Sequence, residues 1–189
     1  DGVGGGVEET VVVADDPGRH SSQNEQDTRR FGIAAKIPVL EPSDSQECKD
    51  FVGEAFKISE QFDTPVIIRL TTRISHSQSV VQCLPRTEIG VRDFDENYGK
   101  YVVIPAFARK RRVLAEKRLR SLEDYADECP LNRLEQNAGP KTIVTSGLAY
   151  QYCREVAPDA SILKLGMSYP LPRKRILALA DKFNPIRIV

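Results

Sequence analysis

The chain has 189 residues, with 27 Lys and Arg against 27 Asp and Glu, and a formal net charge of zero at pH 7. This balance removes the usual electrostatic argument for binding nucleic acid or an anionic membrane. No apolar run approaches the length of a bilayer span and no secretory signal pattern opens the sequence, so we expect a cytoplasmic protein with neither nucleic acid nor membrane among its partners.

The first predicted strand, Val11–Ala14, is expected to be buried and leads into a loop dense in acids, hydroxyls, amides and one histidine. In open α/β sheets, ligands bind just outside the carboxyl ends of the strands, so this loop is the candidate site. The candidate residues are His20, Ser21, Ser22, Gln23, Glu25 and Gln26, with Asp15 and Arg19 as further possibilities. The alternative is a plain connector in which Asp15 and Asp16 close a turn. A catalytic triad of Ser22, His20 and Asp15 is disfavoured, because residues so close in sequence rarely reach that geometry.

Capping signals predict where the next helices begin. Ser22 and Glu25 have capping-box spacing for a helix that runs to Phe31 and stops at Gly32. After a short strand at 37–40, Ser43 and Gln46 repeat this spacing. The second helix carries one apolar face, formed by Cys48, Phe51, Val52, Ala55 and Phe56. Residues 66–72 then form a strand too apolar for a sheet edge, and the alternation of strand and helix predicts a parallel sheet.

The middle of the chain, about 75–139, is predicted to be a connector. Residues 85–100 read as a polar loop, and Pro105 begins a long charged helix to about Glu128. Its narrow apolar stripe holds Ala108, Ala115, Leu119, Leu122 and Ala126. Because its basic and acidic residues balance, a solvated helix is favoured over a nucleic-acid patch. The α/β pattern restarts with strands at 141–145, 162–165 and 186–189 and two helices between them. Their predicted apolar faces hold Leu148, Tyr152, Cys153 and Val156 in the first helix, and Ile176, Leu177 and Leu179 or Ala180 in the second.

Sequence patterns for common cofactors and metals are missing. The isolated positions of Cys48, Cys83, Cys129 and Cys153 disfavour a metal or iron–sulfur site and favour small core residues at 48 and 153. Gly2–Gly6 do not complete a dinucleotide fingerprint, and the sequence around Ser146 lacks the glycines of a nucleophile elbow. His76 follows a predicted buried strand and is a possible site residue, although a structural role is favoured.

Four segments in order carry a family resemblance: VVVADDPG…HSSQNEQD, KIPVLEPSDSQE, FDTPVIIRLTTRISHS and TSGLAYQY…VAPDASILKLGMSYPLP. Together they resemble the thiamine-diphosphate-dependent 2-oxoacid:ferredoxin oxidoreductases, and above all the alpha subunits that act on indolepyruvate. The resemblance covers nearly the whole chain and is weakest from about 85 to 100.

The resemblance implies an α/β fold in three parts. Residues 1–80 would be the second half of a pyrimidine-binding thiamine domain, 81–138 a loop and charged helical linker, and 139–189 part of a transketolase C-terminal-like domain. The implied reaction is oxidative decarboxylation of an arylpyruvate to an acyl-CoA, with electrons passed to ferredoxin. The complete enzyme would use thiamine diphosphate with Mg²⁺ and [4Fe–4S] clusters, none bound wholly by this chain. Implied partners are the remainder of the alpha subunit, a second subunit and ferredoxin, in an oligomer.

Sister enzymes have a Pro…Thr-x-Thr-Glu-Gln loop that lines the 2-oxoacid pocket, and Pro17, Ser22, Glu25 and Gln26 match it here. By this resemblance, Ser22 is a hydroxyl donor to the substrate. Two departures stand out: Arg19 replaces an uncharged side chain, typically methionine, and the segment 8–10 (Glu-Glu-Thr) interrupts the approach from glycines to valines.

The chain looks cut inside the sheet at both ends, so we expect an internal fragment that is inactive alone and holds no catalytic residue of its own. Two alternatives stay open at this point. One is a subunit of a pyruvate or 2-oxoglutarate oxidoreductase of the same superfamily. The other is a non-catalytic assembly or regulatory module.

Overall fold

A computed structural model describes residues 9–86, 96–102, 104–183 and 185–189. The segment 1–8 and the predicted loop residues 87–95 lie outside the described residues. The strands are β1 Thr10–Asp15, β2 Val39–Leu40, β3 Val66–Thr71, β4 Arg133–Glu135, β5 Thr142–Ser146, β6 Ser161–Leu165, β7 Met167–Tyr169 and β8 Ile186–Ile188. The helices are α1 Arg29–Ala35, α2 Ser45–Phe62, α3 Thr72–His76, α4 Tyr98–Tyr101, α5 Pro105–Glu128, α6 Gly147–Val156 and α7 Arg173–Lys182. Within the described ranges, none of these helices combines the length and apolar character needed to cross a bilayer.

The first sheet has the strand order β1-β3-β2-β7. Strand β3 pairs in parallel with both β1 and β2, which confirms the predicted parallel sheet and the central place of this apolar strand. Strand β7 adds to β2 in the antiparallel direction. In the described sheet β1 lies at the edge, so the expectation of a buried first strand is wrong: Val11 and Val12 are exposed.

The second sheet has the order β4-β6-β5-β8, with β5 parallel to β6 and β8 and with β4 antiparallel to β6. Only Gly166 separates β6 from β7, so one extended segment passes from the second sheet into the first. A Cβ at Gly166 would lie 2.6 Å from the carbonyl oxygen of Leu131, which makes glycine necessary there. Mixed α/β architecture is therefore confirmed, and the division of the chain into domains stays a prediction.

The core of the first sheet is covered by α2 and by the end of α5. Helix α5 begins and ends where the sequence predicts. Two residues of its predicted narrow apolar stripe, Leu122 and Ala126, are fully buried against the α2 side chains of the core, so the last turns of this helix are only partly solvated. Periodicity alone could not show which part of a narrow apolar stripe meets another element.

A buried ion pair joins the second sheet to helix α2. Lys164 of β6 is completely buried, and its Nζ contacts the carboxylate of Glu47 in the first turn of α2. The same carboxylate accepts hydrogen bonds from Arg133 of β4 at 2.8 Å and from the Ser43 amide at 2.8 Å. Burial opposes ionisation of Glu47, but the hydrogen bond and charge of Lys164 outweigh it and lower the pKa of this carboxyl. The contact fixes the second sheet against α2.

The predicted helix at 22–31 is wrong in its position. Helix α1 runs from Arg29 to Ala35, with Thr28 at its N-cap, and Gly32 is buried inside it rather than at its end. The Ser22–Glu25 capping box does not form, because the Ser22 hydroxyl donates to the carbonyl of Asn24 at 2.7 Å. The helix starts later because the acids at the end of β1 hold the intervening backbone, a competition that local spacing does not reveal.

The predicted helix faces also need correction. Helix α2 is capped by Asp44, whose side chain accepts from the Glu47 amide at 2.8 Å, instead of by Ser43. Its buried face holds Phe51, Ala55 and Ile58, whereas Val52 and Phe56 are exposed. In α6, Tyr150 and Cys153 are buried while the predicted Tyr152 and Val156 are exposed. In α7, Leu179 is buried and Leu177 is exposed.

Candidate functional site

The loop after β1 is organised by the Asp16 carboxylate. Its oxygens accept hydrogen bonds from the backbone amides of His20, Ser21 and Ser22 at 3.0, 2.6 and 2.7 Å. The hydroxyl of Thr72, at the start of α3, donates to the same carboxylate at 2.7 Å. The Ser21 amide and the Thr72 hydroxyl contribute most to a pKa of Asp16 well below its ordinary value. An ionised Asp16 therefore ties the predicted site loop to the end of β3.

A buried charge network lies directly beneath this loop. Arg69 of β3 donates from Nε to Asp15 at 2.5 Å and from Nη1 to Glu41 at 2.9 Å, and all three residues are buried. Asp15 also accepts from the amide and hydroxyl of Thr28 at 2.7 and 2.5 Å. Burial opposes the charge on Asp15, but the bonds from Thr28 and Arg69 prevail and lower its pKa. The network joins the carboxyl ends of β1, β2 and β3.

A cleft of about 290 Å³ opens where these strand ends meet the start of α6. One wall comes from the first sheet and its loops: Pro17, His20, Arg29, Glu41, Arg69, Thr71, Thr72 and Arg73. The other comes from the second: Ser146, Leu148, Ala149, Tyr152 and Val189. Arg73 donates from Nη1 to the Tyr152 hydroxyl at 3.0 Å, so the two walls are hydrogen-bonded to each other. A crevice outside the carboxyl ends of parallel strands is the usual ligand position in such sheets.

Gly147 allows the second wall to approach the first. It begins α6 with a φ of +51°, a conformation that favours glycine. A Cβ there would lie 3.3 Å from Oε2 of Glu41 and 3.7 Å from the Glu41 Cβ. The start of α6 and the end of β2 are therefore in direct contact at the floor of the cleft.

The structure brings part of the predicted site into the cleft. His20 lines it, and Asp15 lies behind it in the charge network. Ser21 and Ser22 are held by Asp16 without lining the cleft. The remaining candidates are exposed and are not among the lining residues: Arg19, Gln23, Glu25, Gln26 and His76.

Sequence reasoning missed three residues of this site, namely Glu41, Arg69 and Thr72. Glu41 and Arg69 stand inside or beside apolar strand segments, where a charged side chain is rare unless it is paired. That anomaly was the available signal. The parallel register explains the pairing, because it places Leu40 beside Ile68 and Asp15 beside Thr71. Glu41, Arg69 and Asp15 thereby come together at one edge of the sheet.

The described residues do not fit a metal centre or a cluster. No group of three potential ligands among His, Cys, Asp and Glu comes together in the part of the chain that the structure describes. All four cysteines are free, in α2, after α3, after α5 and in α6, and the donor set for an iron–sulfur cluster is not assembled from them.

No family model matches the chain. Among curated proteins, it is 37% identical over 185 residues to the indolepyruvate oxidoreductase subunit IorA of Archaeoglobus fulgidus, covering 95% of this chain and 30% of that protein. It is 42% identical over 194 residues to IorA of Pyrococcus abyssi, covering 96% of this chain and 29% of that protein. It is 38% identical, over an alignment of 200 residues, to IorA of Thermococcus kodakarensis, covering 100% of this chain and 31% of that protein.

The chain matches the IorA family over one segment of that subunit. The family resemblance carried by the four sequence segments is thereby confirmed. The chain spans about 30% of the length of these IorA relatives. A solved 2-oxoglutarate:ferredoxin oxidoreductase from Magnetococcus marinus, with 2-oxoglutarate, coenzyme A and succinyl-CoA bound, covers 95% of this chain and 40% of its own, with a TM-score of 0.62. At 12% identity this likeness shows a shared fold.

Proposed function

We propose that this chain forms part of the 2-oxoacid site in an indolepyruvate:ferredoxin oxidoreductase. The carrying observation is the cleft at the carboxyl ends of β1, β2 and β3, closed on its other side by α6. Similarity to IorA supports an arylpyruvate as substrate. The proposed reaction converts a 2-oxoacid anion and coenzyme A to an acyl-CoA and CO₂, with two electrons passed to ferredoxin and the proton of the coenzyme A thiol released.

The chain's own part in this reaction is to bind and orient the substrate. The cleft combines cationic side chains, Arg29 and Arg73, with an apolar surface from Leu148 and Ala149. Such a mixture suits a ligand with a carboxylate at one end and a ring at the other. His20 stands at the same wall as a hydrogen-bond donor or acceptor, on a loop that Asp16 keeps in place.

The cofactors would be held mainly by other parts of the enzyme. Thiamine diphosphate would supply the carbanion chemistry when bound. The sequence contains no Gly-Asp-Gly…Asn pattern for its diphosphate and Mg²⁺, and its cysteines do not assemble a cluster site. We therefore place Mg²⁺, the [4Fe–4S] clusters and the ferredoxin contact outside this chain, with a second subunit and the rest of the IorA-like subunit as partners.

The two histidines of the chain provide a matched test. In the complete oxidoreductase, we expect His20→Ala to lower kcat/KM for indolepyruvate at least about tenfold, the effect of one hydrogen bond to a charged group. His76→Ala should leave it unchanged, because His76 is exposed and outside the cleft lining. Ferredoxin reduction is measured with indolepyruvate, pyruvate and 2-oxoglutarate in parallel. Equal effects of the two substitutions, or a preference for either small 2-oxoacid, would contradict the proposal.

A further inference from the structure

Three arginine side chains among the described residues line the cleft, and two of them are already paired with carboxylates. Arg69 is buried between Asp15 and Glu41, with nitrogen-to-oxygen distances of 2.5 and 2.9 Å. Arg29 donates to both carboxylate oxygens of Asp27, at 2.8 and 3.0 Å. The positive charge of each of these two guanidinium groups is therefore balanced within the protein.

Arg73, the third arginine of the lining, has no such partner. It is exposed, and no carboxylate of the described part of the chain forms an ion pair with it. Its described hydrogen bond runs from Nη1 to the Tyr152 hydroxyl at 3.0 Å. A guanidinium has five N–H donors in a planar fork that matches a carboxylate, so Arg73 keeps donors for a contact of that kind. An accessible, uncompensated cation in a crevice at strand ends indicates an anionic ligand.

Tyr152 holds this guanidinium from the opposite wall of the cleft. Arg73 lies in α3, which follows β3 directly, whereas Tyr152 lies on α6. Tyr152 is 50% exposed, so core packing alone does not explain its place. Its hydroxyl accepts from one nitrogen of a long and flexible side chain and so restricts the positions of that side chain. A group that is already oriented loses less conformational entropy when a ligand binds.

The remaining lining favours a monoanion that also carries an apolar group. Leu148 and Ala149 stand on the same helix as Tyr152 and line the same wall. A phosphate or diphosphate is usually bound by several cations or by a row of backbone amides, whereas a single guanidinium matches a single carboxylate. The ligand that meets both requirements has one carboxylate and a ring.

We infer that Arg73 binds the carboxylate of the 2-oxoacid and that Tyr152 is a positioning residue that orients Arg73 for this contact. The inference rests on the proposed function and selects one of the cationic side chains of the cleft. It also gives α6, and with it the second sheet, a part in substrate binding: the helix supplies the apolar contact for the ring and the hydroxyl that holds the arginine.

Two non-reacting ligands of nearly equal shape test the role of Arg73. Indole-3-acetate carries the carboxylate, and indole-3-acetamide replaces it with a neutral amide. Calorimetric titration of the complete oxidoreductase should show a preference for the acetate of about 10- to 100-fold, the effect of hydrogen bonds to a charged group. In Arg73→Gln we expect this preference to fall to within about threefold of unity, because the cation is lost. The matched control, Arg109→Gln, changes an exposed arginine of α5 outside the cleft lining and should keep the preference.

Tyr152→Phe tests the positioning role, since it keeps the ring and removes the hydroxyl. We expect the preference for the acetate to fall by about 2- to 10-fold, the effect of one neutral hydrogen bond. The KM for indolepyruvate should rise by the same factor while kcat stays unchanged, as for a contact made equally with substrate and transition state. A merely structural tyrosine would instead weaken the binding of the acetate and the acetamide alike.

The outcomes separate this inference from the proposed function. If Arg73→Gln weakens both ligands equally, or raises the KM for coenzyme A instead of that for indolepyruvate, the inference is wrong, while oxidation of indolepyruvate by the unmodified enzyme upholds the function. If the unmodified enzyme oxidises no arylpyruvate, the proposed function is wrong. The binding preference then still decides the role of Arg73: its loss in Arg73→Gln supports a carboxylate site, and equal binding of the two ligands, or binding of neither, overturns it.

Discussion

Replacing Lys164 with methionine removes the buried charge that links the second sheet to helix α2. The Lys164 ammonium contacts Glu47 and lies 5.3 Å from the ring centroids of both Phe51 and Tyr150. Methionine has a similar length and flexibility, so the change acts mainly on the charge. Removing one partner of a buried ion pair costs about 3–5 kcal/mol, because the other charge is left uncompensated.

The expected loss lies near the lower end of this range. Glu47 keeps its hydrogen bonds from Ser43 and Arg133 after the substitution, so we expect about 3 kcal/mol. For a chain of this size, that corresponds to a decrease in Tm of about 6–12 °C. Thermal and urea unfolding followed by circular dichroism measure the change. The control is Lys57→Met, a 73% exposed side chain paired with Glu54, whose effect should stay within about 0.5 kcal/mol.

Acid unfolding gives an independent measure of the same contact. The pKa of Glu47 is lowered in the folded protein relative to its ordinary value of 4.5. Its ionisation therefore stabilises the fold above that pH, and this stabilisation is lost as the pH falls through the lower, folded pKa. Lys164→Met should weaken this dependence. The reasoning is refuted if the variant unfolds within 0.5 kcal/mol of the parent, about the limit of surface substitutions, or if its stability changes with pH between 3 and 5 as the parent's does.

Two further substitutions test the walls of the cleft. Asp16→Asn should speed hydrogen exchange of the amides at 20–22 and lower kcat/KM, because a neutral amide is a weaker acceptor for three N–H groups. The control Asp50→Asn, at an exposed position, should change neither quantity. Unchanged hydrogen exchange in Asp16→Asn would show that Asp16 does not hold the loop. Gly147→Ala should destabilise by about 1–3 kcal/mol through its positive φ and its contact with Glu41. Gly53→Ala, in open space on α2, should instead stabilise by about 0.5–1 kcal/mol, and equal unfolding free energies for the two alanine variants would contradict the strain at Gly147.

The sequence predicts the elements of this fold better than their faces. Apolar runs and breakers locate β3 and α5 closely, because length and composition determine them locally. The short strands β4 and β7 are not predicted from the sequence, because their hydrogen bonds come from partners distant in the chain. Which faces of α2 and α6 are buried depends on the layer that each helix packs against. Tertiary contacts determine this, and local sequence periodicity does not.

The location of the candidate site is likewise easier to predict from the sequence than the contacts of its residues. Its place, after β1, is predicted from the polar loop and the rule that ligands bind at strand ends, and the structure puts His20 in the lining of a cleft there. The roles within the loop do not follow, because spacing does not show that Asp16 accepts from the amides at 20–22 while Asp15 accepts from Thr28. Glu41 and Arg69 come from other strands, and parallel pairing alone brings them to the loop.

The central claim is that the cleft between the two sheets binds the substrate, and a structure of the complete enzyme with indole-3-acetate tests it most directly. The account predicts a ligand bound in this cleft with its ring packed on Leu148 and Ala149. Well-defined ligand at another site, with this cleft empty, would contradict it.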